Sequence, residues 1–252
     1  MLRKKIIINA SILDEKPTGI GFYTLNVLDQ FDIVKLKYGL FSSVVRKKKN
    51  IHMYQLSEFV RPSPYKQLGG ILRFFLNQFY FTLLGLKYDI AYLPTPHGSI
   101  FLKNQIVTVH DLLALHFPDQ HKFQHYYYKY FLPIILRNAK KIIAISNSTR
   151  SDLVNFYNLE KSKIEVIYNG FNKDFFQSKE NAKNYVLNKF GLKSYLFAVG
   201  SSYPHKNIEN LIKAFSNLKD EKYVLAITGE IGKNQARILD SNNAENVKFL
   251  GY

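Results

Sequence analysis

The residues best suited to chemistry lie between Tyr195 and Leu218, where a lysine follows a turn of glycine and serine. The unbroken apolar run from Tyr195 to Val199 predicts a strand buried on both faces, and Gly200 ends it. A helix is predicted next, with Lys206 at its start. The N–H groups of a first helical turn are unpaired, the helix dipole is positive there, and the lysine adds a full charge. These residues predict a site for a phosphate or diphosphate.

The predicted helix carries apolar residues at the spacing of a helix that lies on a sheet. They are Ile208, Leu211, Ile212, Phe215 and Leu218. The same strand, turn and helix would also fit a purely structural unit, because lysines are common at helix starts. The Walker A pattern G-x-x-x-x-G-K-[ST] is absent, so the predicted phosphate site depends on the turn and on the lysine.

Gly19 and Gly21 lie in a second turn between a strand and a helix. Lys4–Asn9 predicts a buried strand, and the apolar spacing that begins at Ile20 predicts a helix. Because glycine lacks a Cβ, the backbone at such a turn can approach a ligand closely. The nicotinamide fingerprint is not met, since a third glycine is missing and the next strand candidate, Ile33–Leu40, has no acid at its end.

A histidine ends another predicted strand. His110 follows Gln105–Val109, at the edge where open α/β sheets place their ligands. A hydrogen-bonded structural histidine would fit the same position. His116, His121 and His125 follow, but no H-E-x-x-H pattern accompanies them, so we interpret His121 and His125 as helix-surface residues rather than metal ligands.

Composition limits the function classes. The 252 residues allow one large or two modest domains, and strands alternate with helices throughout, which predicts an α/β fold with doubly wound parallel sheets. The absence of cysteine excludes disulfides, thiolate catalysis and cysteine-based zinc sites, and it fits a reducing cytoplasm.

The net charge of +16 favours an anionic partner: nucleic acid, anionic lipid or a phosphorylated substrate. A biased genome would produce the same excess of lysine.

The most apolar segment is Leu68–Leu86. Arg73, Asn77 and Gln78 interrupt it, so we predict a core helix that grazes a membrane rather than one that spans it. The basic run Arg46–Lys49 is typical of a solvated loop and is also available to an anionic surface.

Four segments resemble the family-4 glycosyltransferases of the GT-B fold. AVGSSYPHKNIENLIKAF is similar to the G-x-x-x-P-x-K-N…L-I-x-A-F segment that opens the second domain of the family, with His205 where arginine is usual. TVHDLLALHFP resembles the V-x-H-D-L segment, and PTGIGFYT resembles the first glycine-rich loop. The most specific match is RNAKKIIAISNSTRSDLVNFYNLEKSKIEVIYNGFN, where the family reads A-x-x-I-I-A-V-S, then D-L, then I-x-V-I-x-N-G.

The resemblance implies two Rossmann-like domains, at residues 1–175 and 176–252, the second incomplete and opened by a linker over 173–192. It implies a retaining transfer of a sugar from a nucleotide-sugar donor to a hydroxyl, with no cofactor and no essential metal. His110 is implied to be catalytic and to lie near the donor sugar, and Lys206 to bind the diphosphate. The implied donor-binding residues are Gly19, Gly21, Gly200, Ser201, Lys206 and Asn207.

The resemblance also implies partners and a location. The expected acceptor is a glycan or a lipid-linked glycan, in cell-surface polysaccharide synthesis. We expect a cytoplasmic protein that is peripheral on the inner membrane face and contacts an anionic membrane surface. No nucleic acid partner is expected, since no nucleic-acid-reading module is recognisable, although the charge alone would also fit a basic nucleic-acid-binding protein.

The acidic E-x-x-x-x-x-x-x-E motif of the family has no counterpart in this sequence. We therefore expect the 252-residue chain to be truncated and inactive by itself. A non-catalytic remnant, or one piece of a split glycosyltransferase, is the alternative interpretation.

Overall fold

The structure is a computed structural model that describes residues 4–33, 37–62, 66–171, 181–200, 204–218, 222–229, 231–241 and 246–251. The chain forms two compact units, Met1–Gly170 and Phe171–Tyr252. The sequence predicted the division after residue 175. Residues 173–180 of the predicted linker lie outside the described residues.

The first unit contains a sheet whose described strands all run parallel, in the order β3-β2-β1-β4-β5-β6-β7. The α/β class with parallel sheets is therefore confirmed. The strands are β1 (Ile6–Asn9), β2 (Tyr38–Ser42), β3 (Ile51–Gln55), β4 (Ile90–Leu93), β5 (Gln105–Val109), β6 (Lys141–Ala144) and β7 (Ile164–Val166).

Helices cover both faces of this sheet. They are α1 (Gly19–Ile33), α2 (Lys66–Leu76), α3 (Thr82–Gly85), α4 (Leu113–His116), α5 (Lys122–Tyr126), α6 (Leu132–Asn138) and α7 (Asn147–Tyr157). Successive strand side chains point to opposite faces, so Ile7 and Ile8 belong to different clusters of the core. Leu28 of α1 packs in the cluster of Ile8, whereas Phe81 and Leu132 pack in the cluster of Ile7. The helices from α2 to α6 thus share the face opposite α1.

The edge strand β3 was not predicted from the sequence, and the second strand begins later than the Ile33–Leu40 candidate. β3 is half exposed and carries polar residues, so its apolar pattern is weak. It is held by backbone pairing with β2, from Tyr38 opposite Ile51 to Ser42 opposite Gln55. A strand that is held in place by pairing with its neighbour need not have a strong apolar pattern in its own sequence.

Leu68–Leu86 forms α2, a π-turn at Asn77–Phe81 and then α3. None of the helices in the described part of the chain is long and apolar enough to cross a membrane. The polar residues of the segment point inward: Asn77 accepts a hydrogen bond from Nδ2 of Asn9 at 2.9 Å and donates to the backbone oxygen of His97 at 3.1 Å. Gln78 likewise bonds to the backbone of the loop after β4. The π-turn therefore buries two amides whose oxygen and nitrogen atoms are each hydrogen-bonded.

A second π-turn, Tyr127–Phe131, joins α5 to α6. Pro133 lies in the first turn of α6. Because proline has no N–H and its ring crowds the preceding turn, a regular helix cannot continue through it, and the π-turn accommodates the break that the sequence predicted at this proline. The turn also directs Tyr127 inward, where its hydroxyl donates to the backbone oxygen of Pro96 at 3.0 Å.

The second unit contains α8 (Ala182–Phe190), β8 (Tyr195–Val199), α9 (Ile208–Asn217), β9 (Val224–Thr228), α10 (Lys233–Ser241) and β10 (Val247–Phe249). Its described strands run parallel in the order β10-β9-β8. Ile208, Ile212 and Phe215 of α9 pack against the middle strand, as the helical spacing predicted.

Two predictions for the second unit were wrong. The strand β8 is not buried on both faces: it is an edge strand paired with β9, and Val199 at its end is 78% exposed. Leu218 lies beyond the last residue of α9 and is 65% exposed, and Leu211 is also exposed. A run of apolar residues shows that a strand could be buried, but the neighbours decide whether it is.

The ring of His97 generates a prediction about acid stability. Burial, helped by the charge of Arg73, lowers the pKa of His97 from 6.5 to about 4. Between these values the unfolded chain binds a proton that the folded protein does not, so stability is lost as the pH falls from about 6.5 towards about 4. We expect this loss to reach ~2 kcal/mol.

Urea unfolding at pH 7 and pH 4.5 measures the loss. His97→Gln should shrink the difference between the two pH values, whereas His52→Gln, at an exposed histidine on β3, is the matched control. If wild type and His97→Gln lose the same free energy of unfolding between pH 7 and pH 4.5, His97 is not the cause of the acid sensitivity.

Candidate functional site

The order of the strands in the first sheet changes direction between β1 and β4. β1 pairs with β2 on one side and with β4 on the other, so the chain crosses over β1 after β3. In open α/β sheets, ligands bind in the crevice at the carboxyl ends of the strands where the order reverses. Asn9 and Leu93 end the two strands, and their following loops border this crevice.

The predicted glycine turn lies at this edge. Gly19 begins α1, and the first hydrogen bond of the helix joins the N–H of Phe22 to the oxygen of Thr18 at 2.8 Å. The N–H groups that precede it form the start of a helix, where anions are favoured. A Cβ at Gly19 would meet nothing within 4 Å, so space is open in front of this residue. A Cβ at Gly21 would lie 2.8 Å from the Cβ of Pro17, so that glycine is required by packing.

His110 lies directly after β5 and contacts both β4 and α1. Its Nε2 is 2.9 Å from the backbone oxygen of Pro94, the residue after β4. Its ring meets the ring of Tyr23 edge to face, with centroids 4.7 Å apart. The hydroxyl of Tyr23 is in turn 3.1 Å from that of Tyr92 on β4. Tyr23 therefore joins the helix of the glycine turn to His110, a contact that the sequence analysis missed.

These contacts define the protonation of His110. A carbonyl oxygen can only accept, so Nε2 carries the proton and Nδ1 presents a lone pair. Burial lowers the pKa of the imidazole, although the bond to Pro94 and the charge of Asp111 oppose the shift. His110 is therefore a neutral ring at pH 7, and Nδ1 is suited to accept a hydrogen bond from a sugar hydroxyl.

A pocket of about 300 Å³ lies at the carboxyl ends of β5 and β6. His116 donates from Nε2 to Asp152 at 3.1 Å, and Asp111 and Ser148 line the same pocket. These groups can bind hydroxyls. The sequence analysis did not bring them together, although each follows a strand whose end meets this edge of the sheet.

The three histidines weighed as metal ligands do not converge. His116 pairs with Asp152, whereas Nδ1 of His125 is 3.0 Å from the backbone oxygen of Ala114. In the described ranges of the chain, no group of three or more histidines and acids is arranged to hold a metal ion.

In the second unit, Gly200 ends β8 where the sequence analysis placed it. A Cβ there would lie 2.9 Å from side-chain atoms of both Ile208 and Ile227, so only glycine lets α9 and β9 pack this closely. Its N–H donates to the oxygen of Thr228 at 3.1 Å. Ser201, the next predicted donor-binding residue, lies outside the described residues.

Lys206 is the last residue of a short 3-10 turn, Pro204–Lys206, and one residue separates this turn from α9. The predicted helix thus begins at Ile208 rather than at residue 205. Asn207 lies between the two with φ of 56°, and its Oδ1 accepts from Nδ2 of Asn210 at 2.8 Å. Its side chain makes no capping bond to the first N–H groups of α9, and Lys206 is exposed beside them. A cation beside such N–H groups is the arrangement that the predicted phosphate site requires.

The structure thus brings the predicted residues together within each unit. In the first unit Tyr23 links the helix of Gly19 and Gly21 to His110. In the second unit the packing at Gly200 positions the start of α9, next to Lys206. The roles implied for these residues remain predictions.

Two curated relatives are named O-antigen mannosyltransferases. O-antigen chain mannosyltransferase RfbU of Salmonella typhimurium is 31% identical over 159 residues, which are 62% of this chain and 42% of the relative. O-antigen chain mannosyltransferase B of Escherichia coli is 26% identical over 171 residues, 62% of this chain and 45% of the relative. The chain thus spans less than half the length of either relative.

Solved structures share the fold. The crystal structure of Anabaena Alr3699/HepE in complex with UDP and glucose has a TM-score of 0.67 at 15% identity, covering 99% of this chain and 70% of that one. WaaG, a glycosyltransferase involved in lipopolysaccharide biosynthesis, has a TM-score of 0.64 at 12% identity, covering 98% of this chain and 70% of that one. Both are similar to this chain across its full extent, and both support the GT-B fold.

Family sequence models match both units. The model described as Glycosyl transferases group 1 matches residues 179–252. The model described as Glycosyltransferase Family 4 matches residues 40–175, more than half of the chain. The chain belongs to glycosyltransferase family 4.

Proposed function

We propose that the protein transfers a sugar, with retained anomeric configuration, from a nucleotide-sugar donor to a hydroxyl of a glycan or lipid-linked glycan. Because the chain spans 42% of one curated relative and 45% of another, the activity is proposed for the whole protein that contains it. No cofactor or essential metal takes part in the proposed reaction, and turnover by residues 1–252 alone is still predicted to be negligible.

The observation that carries the proposal is the strand, glycine and helix unit of β8 and α9. Gly200 is fixed by packing, and the uncapped start of α9 lies beside the exposed Lys206. This arrangement is suited to the diphosphate of a donor. The crystal structures of HepE in complex with UDP and glucose and with UDP-glucose support a nucleotide-sugar donor.

In the proposed reaction the bond between the anomeric carbon and the diphosphate oxygen breaks. The same carbon bonds to the acceptor oxygen on the same face of the sugar, and the hydroxyl proton passes to the departing diphosphate. Lys206 stabilises the negative charge that develops on the leaving group. His110, neutral at pH 7, orients the donor sugar through Nδ1 rather than supplying a proton.

The proposed setting is cell-surface polysaccharide synthesis. The similarity to two O-antigen chain mannosyltransferases supports it, and so does the similarity to WaaG, which is involved in lipopolysaccharide biosynthesis. We place the protein in the cytoplasm, peripheral on the inner membrane face, where a lipid-linked acceptor would be reached.

Lys206→Ala is the first test. Loss of a charged hydrogen bond should weaken binding of a nucleoside diphosphate by about 1.5–3 kcal/mol, measured by calorimetry with UDP and with GDP. Lys213→Ala removes another exposed lysine, within α9 and away from its first turn, and should leave the affinity unchanged. If both variants bind like wild type, Lys206 is not part of the donor site.

Gly19→Ala separates a ligand contact from a structural role. A methyl group meets nothing within 4 Å there, so stability should be unchanged or should rise by up to about 1 kcal/mol. The same methyl group would occupy the space in front of the helix start and should weaken UDP or GDP binding about tenfold, which is ~1.4 kcal/mol. Unweakened binding in a stably folded Gly19→Ala variant would remove this turn from the site.

His110→Ala tests the sugar contact. It should weaken binding of the nucleotide sugar by about 1 kcal/mol and leave binding of the bare nucleoside diphosphate unchanged, because the contact is to the sugar alone. UDP-glucose and GDP-mannose, each compared with its nucleoside diphosphate by calorimetry, provide the two readings. An equal loss for both forms would mean that His110 acts on the diphosphate or on the fold.

A further inference from the structure

The helical segment from α2 to α3 is apolar on its outer side. Its exposed side chains follow a helical spacing along the whole segment: Leu68, Ile71, Phe75, Phe79, Leu83 and Leu86. Phe79 is 63% exposed. The polar Asn77 and Gln78 point into the core instead. A helix on a sheet in water normally has the reverse arrangement, with its polar side outward.

The segment from α5 to α6 carries a second stripe of the same kind. Its exposed members are Phe123, Tyr126, Tyr130 and Ile134, again at helical spacing. Phe74 of α2 meets Phe131 edge to face at 4.9 Å, so the two segments touch. We call the two stripes together the aromatic face. Contiguous apolar surface of this kind marks a binding surface rather than ordinary exposure.

The charge of this face has one sign. Residues 62–88 and 120–151 contain no aspartate or glutamate. Lys87, Lys122 and Lys129 are exposed on the two segments, and Nζ of Lys129 lies 5.5 Å from the ring centre of Tyr130. Arg73 is turned inward to the backbone oxygen of Val60, and burial lowers its pKa from the ordinary value. The outer surface is therefore apolar, with lysines along the stripes.

The basic run Arg46–Lys49 does not supply this charge. Arg46 pairs with Asp29 of α1 at 2.6 Å, and α1 covers the opposite face of the sheet. The sequence analysis interpreted this run as typical of a solvated loop that is also available to an anionic surface. The structure places Arg46 on the α1 side, away from the aromatic face.

We propose that the aromatic face docks on an anionic lipid bilayer, with the rings of both stripes at the level of the head groups and the lysines on the phosphates. Aromatic rings are favoured at this depth, and lysines beside them are attracted by anionic lipid. A soluble partner would more commonly be matched by charges of both signs. The proposal rests on the peripheral location in the proposed function and names the surface that makes the contact, but binding to the bilayer requires no donor.

Co-sedimentation of the chain with vesicles, without nucleotide, tests the docking. Binding should be stronger to phosphatidylcholine mixed with phosphatidylglycerol than to phosphatidylcholine alone. Phe79→Glu together with Tyr130→Glu should lower binding to the mixed vesicles by about tenfold or more, because the rings are lost and the new carboxylates are repelled. Phe22→Glu is the matched control: Phe22 is 55% exposed, like Tyr130, but it lies on α1.

Two double variants that each remove two lysines complete the test. Lys122→Gln with Lys129→Gln should lower binding to the mixed vesicles by about fivefold for each lysine. Lys47→Gln with Lys49→Gln removes the same charge elsewhere and should have a smaller effect. Near-ultraviolet circular dichroism and UDP and GDP calorimetry on each variant separate lost docking from lost folding or lost donor binding.

Three results would overturn the proposal. The first is equal binding to neutral and anionic vesicles. The second is an equal loss for the two lysine pairs, which would mean attraction by net charge alone. The third is a dimer in sedimentation velocity without lipid that Phe79→Glu abolishes, which would make a second copy of the chain the occupant of the face.

Discussion

The buried amides of Asn77 and Gln78 join three parts of the first unit: the segment from α2 to α3, the end of β1 and the loop after β4. A buried amide without partners is costly, and both side chains find theirs on β1 and on the loop after β4. These bonds fix the rotation of the helical segment from α2 to α3. The inner side carries these two amides together with the apolar Phe81 and Leu84, and the outer side of the segment is apolar as well. The same bonds hold the carboxyl end of β1, where the crevice of the sheet lies.

The crevice and the aromatic face therefore depend on each other. Asn9 ends β1 and bonds to Asn77, whose segment carries the outer stripe. Across the crevice, Pro94 binds His110 and thereby fixes its tautomer, while Tyr23 holds the ring against α1. The first unit therefore presents a neutral imidazole at its sheet edge and an apolar surface on one side, as the proposed sugar contact and the proposed lipid surface require.

Local patterns predicted much of this arrangement. The apolar runs gave most of the parallel strands, and the glycine turns lie at Gly19 and Gly200, where the sequence placed them. The strand β3 was missed because pairing with β2, rather than its own residues, holds it in place. The inward rotation of Asn77 and the contact of Tyr23 with His110 join residues far apart in the chain, so no spacing rule could show them. The exposure of β8 likewise depends on its neighbours in the sheet.

The central claim is that the start of α9, with Lys206 beside it, binds the diphosphate of a nucleotide sugar. A crystal structure with a bound nucleotide sugar tests this most directly. We expect a diphosphate oxygen within hydrogen-bond distance of Nζ of Lys206 and of the first N–H groups of α9. A diphosphate bound away from the start of α9, for example in the pocket of Asp111 and Asp152, would contradict the account.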